Sequence, residues 1–148
     1  MSERTATDVE FWNAIAELEG ARFRHHGRVP PNGPRQARLD CVGPFFVAHW
    51  KLGLPCDDFT EYGAQPDSQV LLRLVHDRCV PRPWAEYVGF PGRLVLLGLT
   101  NPQHVAFSGP DGLAVEIAAS WKVRELKHTE VHSVWLPKGI VATRSAPA

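Results

Sequence analysis

The apolar residues of this chain change period once, near Arg93, and that change limits the fold more than any other feature of the sequence. After it, "RLVLLGLT", "HVAFSG", "LAVEIAAS", "KVRELKH" and "VHSVWLP" are short runs rich in β-branched and apolar residues, separated by turn signals, which predicts an antiparallel β-meander. Before it, the spacing is helical. Phe11, Ile15 and Leu18 recur at helical intervals from Asp8 to about Gly20, behind an N-cap at Thr7 or Asp8. Val42, Phe45, Phe46 and Trp50 line one side of a second helix that stops at Gly53. Val70, Leu71, Leu74 and Val75 mark a short third helix, and the two prolines of "VPRPWAEY" read as the loop that ends it. Helices first and strands afterward predict an α+β fold, with N-terminal helices packed on an antiparallel sheet.

A chain of 148 residues suits a single domain with a real core, and its 44% hydrophobic and 22% charged content is that of an ordinary globular protein. Sixteen acidic residues balance sixteen basic ones, and no basic run stands out, so nothing in the charge points to nucleic acid or to an anionic membrane surface. The N-terminal stretch "MSERTATDVEFWNAIAELEG" is charged and amphipathic where a signal peptide has an unbroken apolar region, so synthesis in the cytoplasm without a signal peptide is expected. No apolar run is long enough for membrane insertion. Residues 141–148, ending in "RSAPA", read as a flexible tail. Cys41, Cys56 and Cys79 are odd in number and form no CxxC pair, which argues against a disulfide framework or a zinc ribbon.

One cysteine stands in a special context. In "RLDCVGPFF" Pro44 has no N–H to give and is tolerated only in the first turn of a helix, so the second helix is expected to start at Asp40 or Cys41. A thiol at a helix N-terminus meets unpaired N–H groups and the positive end of the macrodipole, which lower its pKa. The meander offers the matching partners. "SGPDGL" reads as a turn over Pro110 and Asp111 with Gly112 in the left-handed position of a three-residue hairpin loop. Alternation then places Val105, Phe107, Leu113, Val115 and Ile117 on one face, and His104, Ala106, Ala114, Glu116 and Ala118 on the other. His104 and Glu116 thereby share a face, either directly opposite or diagonal, on an otherwise alanine surface against which the aromatic side of the Cys41 helix is expected to pack.

These residues carry a resemblance. "EGARFRHHGRV…RLDCVGPF", then "YGAQPD", then "NPQHVAF" is similar to the NlpC-type papain-like cysteine peptidases, above all to their phage tail-assembly subgroup, over Glu19 to about Leu126. The resemblance implies a papain-like α+β fold and a thiol protease that hydrolyses peptide bonds in peptidoglycan stem peptides. It puts the nucleophile on Cys41, the general base on His104 and the orienting third group on Glu116. It puts substrate contacts on Asp40, which would hold the free amino end of the stem peptide, and on Phe23, where relatives carry tyrosine. It implies no metal and no cofactor, and it makes peptidoglycan and other proteins of a phage or phage-like tail the partners, with the chain assembled into that particle. The alternative it leaves is a structural tail-tip component with the same fold and little activity. Cys56 and Cys79 read as inert thiols. His25 and His26 lie in a loop without ligand spacing to a third group, and His49, about two turns into its helix, reads as a surface or satisfied histidine.

Overall fold

The computed structural model describes residues 4–32, 35–63 and 67–144. Among them the chain is α+β, with three helices, a six-strand antiparallel sheet and two small sheets. Strand β1 (Ala6–Thr7) runs into helix α1 (Asp8–Ala16). A capping box starts the helix: Glu10 N–H donates to Thr7 Oγ1 at 3.1 Å and Thr7 N–H donates to Glu10 Oε1 at 3.0 Å. The helix ends four residues short of Gly20, and a succession of turns carries Leu18 into the core nonetheless. The proline-rich stretch ahead of Cys41 is framed by three two-residue strands, β2 (Arg22–Phe23), β3 (Arg28–Val29) and β4 (Arg38–Leu39), in the order β2-β4-β3.

Helix α2 covers Gly43–Lys51, so it starts two to three residues later than the sequence predicts. Asp40, Cys41 and Val42 form a turn ahead of it, closed by Gly43 N–H donating to Asp40 O at 3.1 Å. The residue before a proline resists helical geometry, and Pro44 supplies no donor, so the regular ladder begins only at the proline's own turn. Its far end follows the sequence reading. Leu54 N–H reaches His49 O at 2.9 Å and Gly53 N–H reaches Trp50 O at 3.0 Å, a Schellman closure that needs Gly53 at φ +70°.

Helix α3 (Ser68–Arg78), capped by Asp67 on Val70 N–H, leads without a break into strand β5 (Cys79–Arg82), a segment the prolines had marked as loop. β5 is the outermost strand of the large sheet, and an edge tolerates Pro81 because only one side of the strand is paired. A 3-10 turn over Trp84–Tyr87 then leads to β6 (Leu94–Leu97), β7 (His104–Ser108), β8 (Ala114–Ile117) and β9 (Trp121–Arg124), which form the expected meander. β10 (Val131–Pro137) does not continue it. The chain crosses back and inserts β10 between β5 and β6, with Val134 opposite Val95, giving the order β5-β10-β6-β7-β8-β9. The last strand, β11 (Ile140–Val141), pairs in parallel with β1, and Arg144 O accepts from Arg93 Nη2 at 3.0 Å. Residues 141–144 are therefore held in place rather than forming part of a tail, and 145–148 lie outside the described residues.

Alternation gives the large sheet two unlike faces. Leu94, Leu96, Val105, Phe107 and Val115 pack with Phe11, Ile15, Phe45, Phe46, Leu71 and Leu74 of the helices. The opposite face, with Val95, Leu97, Ala106, Ala114 and Val134, is covered by Tyr87 and Leu126. The aromatic side of α2 thus lies against the large apolar residues and not, as expected, against the alanines. The alanines instead make room for the Tyr87 ring, whose hydroxyl donates to Leu126 O at 3.0 Å. At one end of the sheet Arg93 is wholly buried and donates to Asp8 Oδ2 at 2.6 Å and to Glu86 Oε1 at 2.8 Å. Asp8 also accepts from Thr143 Oγ1 at 2.9 Å. Guanidinium, two carboxylates and both ends of the described chain meet there.

Candidate active site

Cys41 sits in the turn between β4 and α2. Gly43 allows that turn to lie close on the small sheet, since a Cβ there would stand 2.8 Å from Gly27 O and 3.0 Å from Leu39 Cβ. The thiol is only 5% exposed. Burial, and after it the negative charge of Asp40, push its pKa from 9.0 up to about 12, while the backbone amides of Val105 and of Cys41 itself and the charge of Arg28 pull the other way. The helix-terminal thiolate expected from the sequence is corrected on two physical grounds. The helix starts beyond the thiol, and loss of solvent together with an adjacent carboxylate raises its pKa.

His104 opens β7. The hairpin has the register read from the sequence: Ala106 faces Glu116, Phe107 faces Val115, and Gly109 N–H donates to Leu113 O at 2.7 Å around Gly112 at φ +82°. His104 and Glu116 share a face as diagonal neighbours, with His104 Nε2 3.8 Å from Glu116 Oε2. That face is the one opposite α2, yet β7 and β8 stop pairing at Ala106 and Glu116. Beyond that point a cavity of about 550 Å³ opens at the strand ends, and Cys41, His104, Glu116 and Phe23 all line it. Burial lowers the His104 pKa below 6.5; Glu116 works against this and Arg124 adds to it. The shift favours the uncharged ring. With Nε2 turned to Glu116, Nδ1 is the nitrogen left to take a proton. Among the described residues no hydrogen bond joins the ring to the Cys41 thiol.

Glu116 has a second partner that the sequence reading missed. Arg124 Nε donates to Glu116 Oε2 at 3.1 Å and Arg124 Nη2 lies 2.7 Å from Glu130 Oε1. Carrying the alternation one strand further would have found it, since Arg124 on β9 pairs with Ala114 and so shares the face of Glu116.

Phe23, 39% exposed, lines the cavity. Asp40 does not line it. Its carboxylate is buried, Arg28 Nη1 donates to Oδ1 at 3.0 Å, and the Tyr62 hydroxyl donates to Oδ2. Arg28 also donates to Tyr62 Oη at 2.7 Å, to Phe59 O at 3.0 Å and to Asp58 Oδ1 at 2.8 Å, and lies over the Phe46 ring. Burial and Asp40 raise the Tyr62 pKa, so the phenol stays protonated and donating. The expected amine-binding role of Asp40 is therefore corrected to an anchoring one. Its oxygens are engaged in tying the start of α2 to the loop after Gly53, and Arg28 and Tyr62 are the partners that sequence reasoning did not identify.

The remaining candidates stay apart. Cys79 is buried, Cys56 is half-buried, and burial raises both thiols. His49 is buried and satisfied, with Nδ1 donating to Phe45 O at 2.6 Å. The rings of His25 and His26 lie against one another and His26 Nε2 meets Tyr62 O at 2.8 Å. Among the described residues no cluster of three metal-ligating side chains occurs, and no helix is long and apolar enough to cross a membrane. Comparison of the chain with protein-family models, with curated proteins and with solved structures returned no match in any of the three.

Proposed function

We propose that the chain is a cysteine endopeptidase with an NlpC-type papain-like fold, acting on peptide bonds of peptidoglycan stem peptides as part of a phage or phage-like tail. The observation that carries this reading is that Cys41, His104 and Glu116, three residues far apart in the chain, line one cavity, where burial lowers the His104 pKa. In the proposed mechanism His104 Nδ1 takes the Cys41 proton as the sulfur attacks the amide carbonyl, the C–N bond breaks, and the imidazolium protonates the leaving amine. Water, deprotonated by the same ring, then attacks the thioester and frees the thiol and a carboxylate. Glu116 orients the ring and offsets its transient positive charge. In this mechanism the Cys41 and Val105 amides, which favour negative charge on the sulfur, serve as donors to the developing oxyanion. Because thiol and imidazole are both neutral at rest, proton transfer accompanies attack instead of preceding it.

The buried thiol and the tie between Glu116 and Arg124 favour a second reading, a tail-tip component that keeps the architecture without turnover. Mass spectrometry of purified peptidoglycan incubated with the protein, with Cys41→Ala and with His104→Ala distinguishes the two. Released stem-peptide fragments that vanish in both variants support the peptidase. Equal release from wild type and Cys41→Ala, free or assembled in particles, removes it in favour of the second reading.

A further inference from the structure

The chain is neutral as a whole, but its charge is not evenly spread. Residues 20–39 hold Arg22, Arg24, Arg28, Arg35 and Arg38 and no aspartate or glutamate. Spaced as they are, these arginines form no basic run; the fold gathers them. In the small sheet Arg22 pairs with Arg38 and Val29 with Arg38, while Phe23 and Arg28 both pair with Leu39. Paired residues share a face, so Phe23, Leu39 and Arg28 point toward α2 and the cavity, and Arg22, Arg38 and Val29 point away from them. Arg28 is committed to Asp40 and Asp58. On the outer face Arg24, Arg35 and Arg38 line a cleft of about 720 Å³ together with Asn32, Gln36 and Val29. All three arginines are exposed, and among the described residues none makes a salt bridge and no carboxylate lines the cleft.

Three like charges converge there unneutralised, and they are all guanidiniums, whose planar forks match the oxygens of phosphate and carboxylate groups in pairs. Asn32 and Gln36 add neutral donors. No aromatic ring lines the cleft, so it lacks the stacking platform with which proteins hold single-stranded nucleic acid. Among the described residues its apolar lining is Val29 and Pro30, too little to enter a bilayer. We propose that this cleft binds a base-free linear polyanion, a polymer of phosphodiester or phosphoanhydride units that lays successive phosphates on Arg24, Arg35 and Arg38. The cleft and the cavity lie on opposite faces of the same small sheet, so the proposal stands whether or not Cys41 is a nucleophile.

Fluorescently labelled polyphosphate is the probe, read by anisotropy across a salt series, beside a labelled oligo-dT of equal charge. Three engaged phosphates give a slope of log K against log salt of roughly −2. The triple variant Arg24→Gln, Arg35→Gln, Arg38→Gln, checked for an unchanged melting temperature, is expected to weaken binding roughly tenfold or more, while Arg73→Gln on α3 leaves it unchanged. Polyphosphate binding that is equal in the triple variant and wild type, or that has no salt slope, overturns the proposal. Tighter binding of oligo-dT through the same arginines overturns it as well and replaces it with a nucleic-acid site.

Discussion

Alkylation of Cys41 in the resting protein is expected to be slow, and the structure sets the scale. Iodoacetamide reacts with the thiolate. A rise in pKa from 9.0 to about 12 cuts the thiolate population at neutral pH roughly a thousand-fold, a factor of ten for each step of one in pKa. Only 5% of the residue is exposed, so access lowers the rate further. Cys56 also has a raised pKa, but it is half-buried and Arg78 beside it favours the charged sulfur. The folded protein, treated with iodoacetamide at pH 7 and digested for mass spectrometry, should therefore be labelled first at Cys56, with Cys41 and Cys79 lagging. In urea all three should converge. The Cys41 rate should climb about tenfold per pH unit from pH 7 to 10 without levelling, because its thiolate is still a minor species throughout. If Cys41 is instead labelled ahead of Cys56 at pH 6 to 7, or its rate levels off below pH 9, the sulfur is already ionised at rest and the account of a neutral, desolvated thiol is wrong. That outcome would put Cys41 in a thiolate–imidazolium pair with His104.

Three further outcomes are expected. Arg93→Met leaves the Asp8 carboxylate buried without its cation, while Glu86 keeps Arg82, and should cost about 3–5 kcal/mol in urea denaturation; a loss under about 1 kcal/mol contradicts the role given to this cluster. Arg124→Gln removes a charge that lowers the His104 pKa and leaves Glu116 to act on the ring, so the His104 titration followed by NMR should move to higher pH; an unchanged or lower midpoint argues against the coupling. Burial holds His49 and His104 below 6.5, so their contribution to stability is complete above pH 6.5 and is lost as pH falls through the folded-state values. The melting temperature should drop from pH 6.5 downward, and less steeply in His49→Gln; a drop of the same size in both would take His49 out of the explanation.

What could be read from the sequence was local. The hairpin register was legible because an apolar alternation and a three-residue loop around Gly112 allow only one pairing, and the helix stop at Gly53 because a left-handed residue was required there. Where long-range contacts decide, the pattern misled. Pro81 and Pro83 disguised β5, since a proline on an edge strand and a proline in a loop look alike until the partner strand is known. The clamp on Asp40, next to Cys41, was hidden for a related reason. It is made by Arg28 and Tyr62, 12 residues before Asp40 and 22 after it, and no spacing rule announces that they meet there. Cys41, His104 and Glu116 were brought together in thought by a family resemblance, and in space by the place where β7 and β8 part.

The Arg93 cluster also bears on how the molecule comes apart. Through Asp8 it grips the first helix, through the Arg144 carbonyl and Thr143 the last described residues, and between them β1 and β11 are zipped together. Peeling from either end must first break a charged bond in a medium where water cannot compensate for it. Segments that open early are those with few buried contacts, such as the mostly exposed, irregular stretch from Pro55 to Tyr62. That stretch carries Tyr62, and with it the clamp on Asp40. A protease or a mechanical load that fails to open the ends would thus act first on the support beneath Cys41, and the geometry of the cavity would be lost while the sheet was still intact.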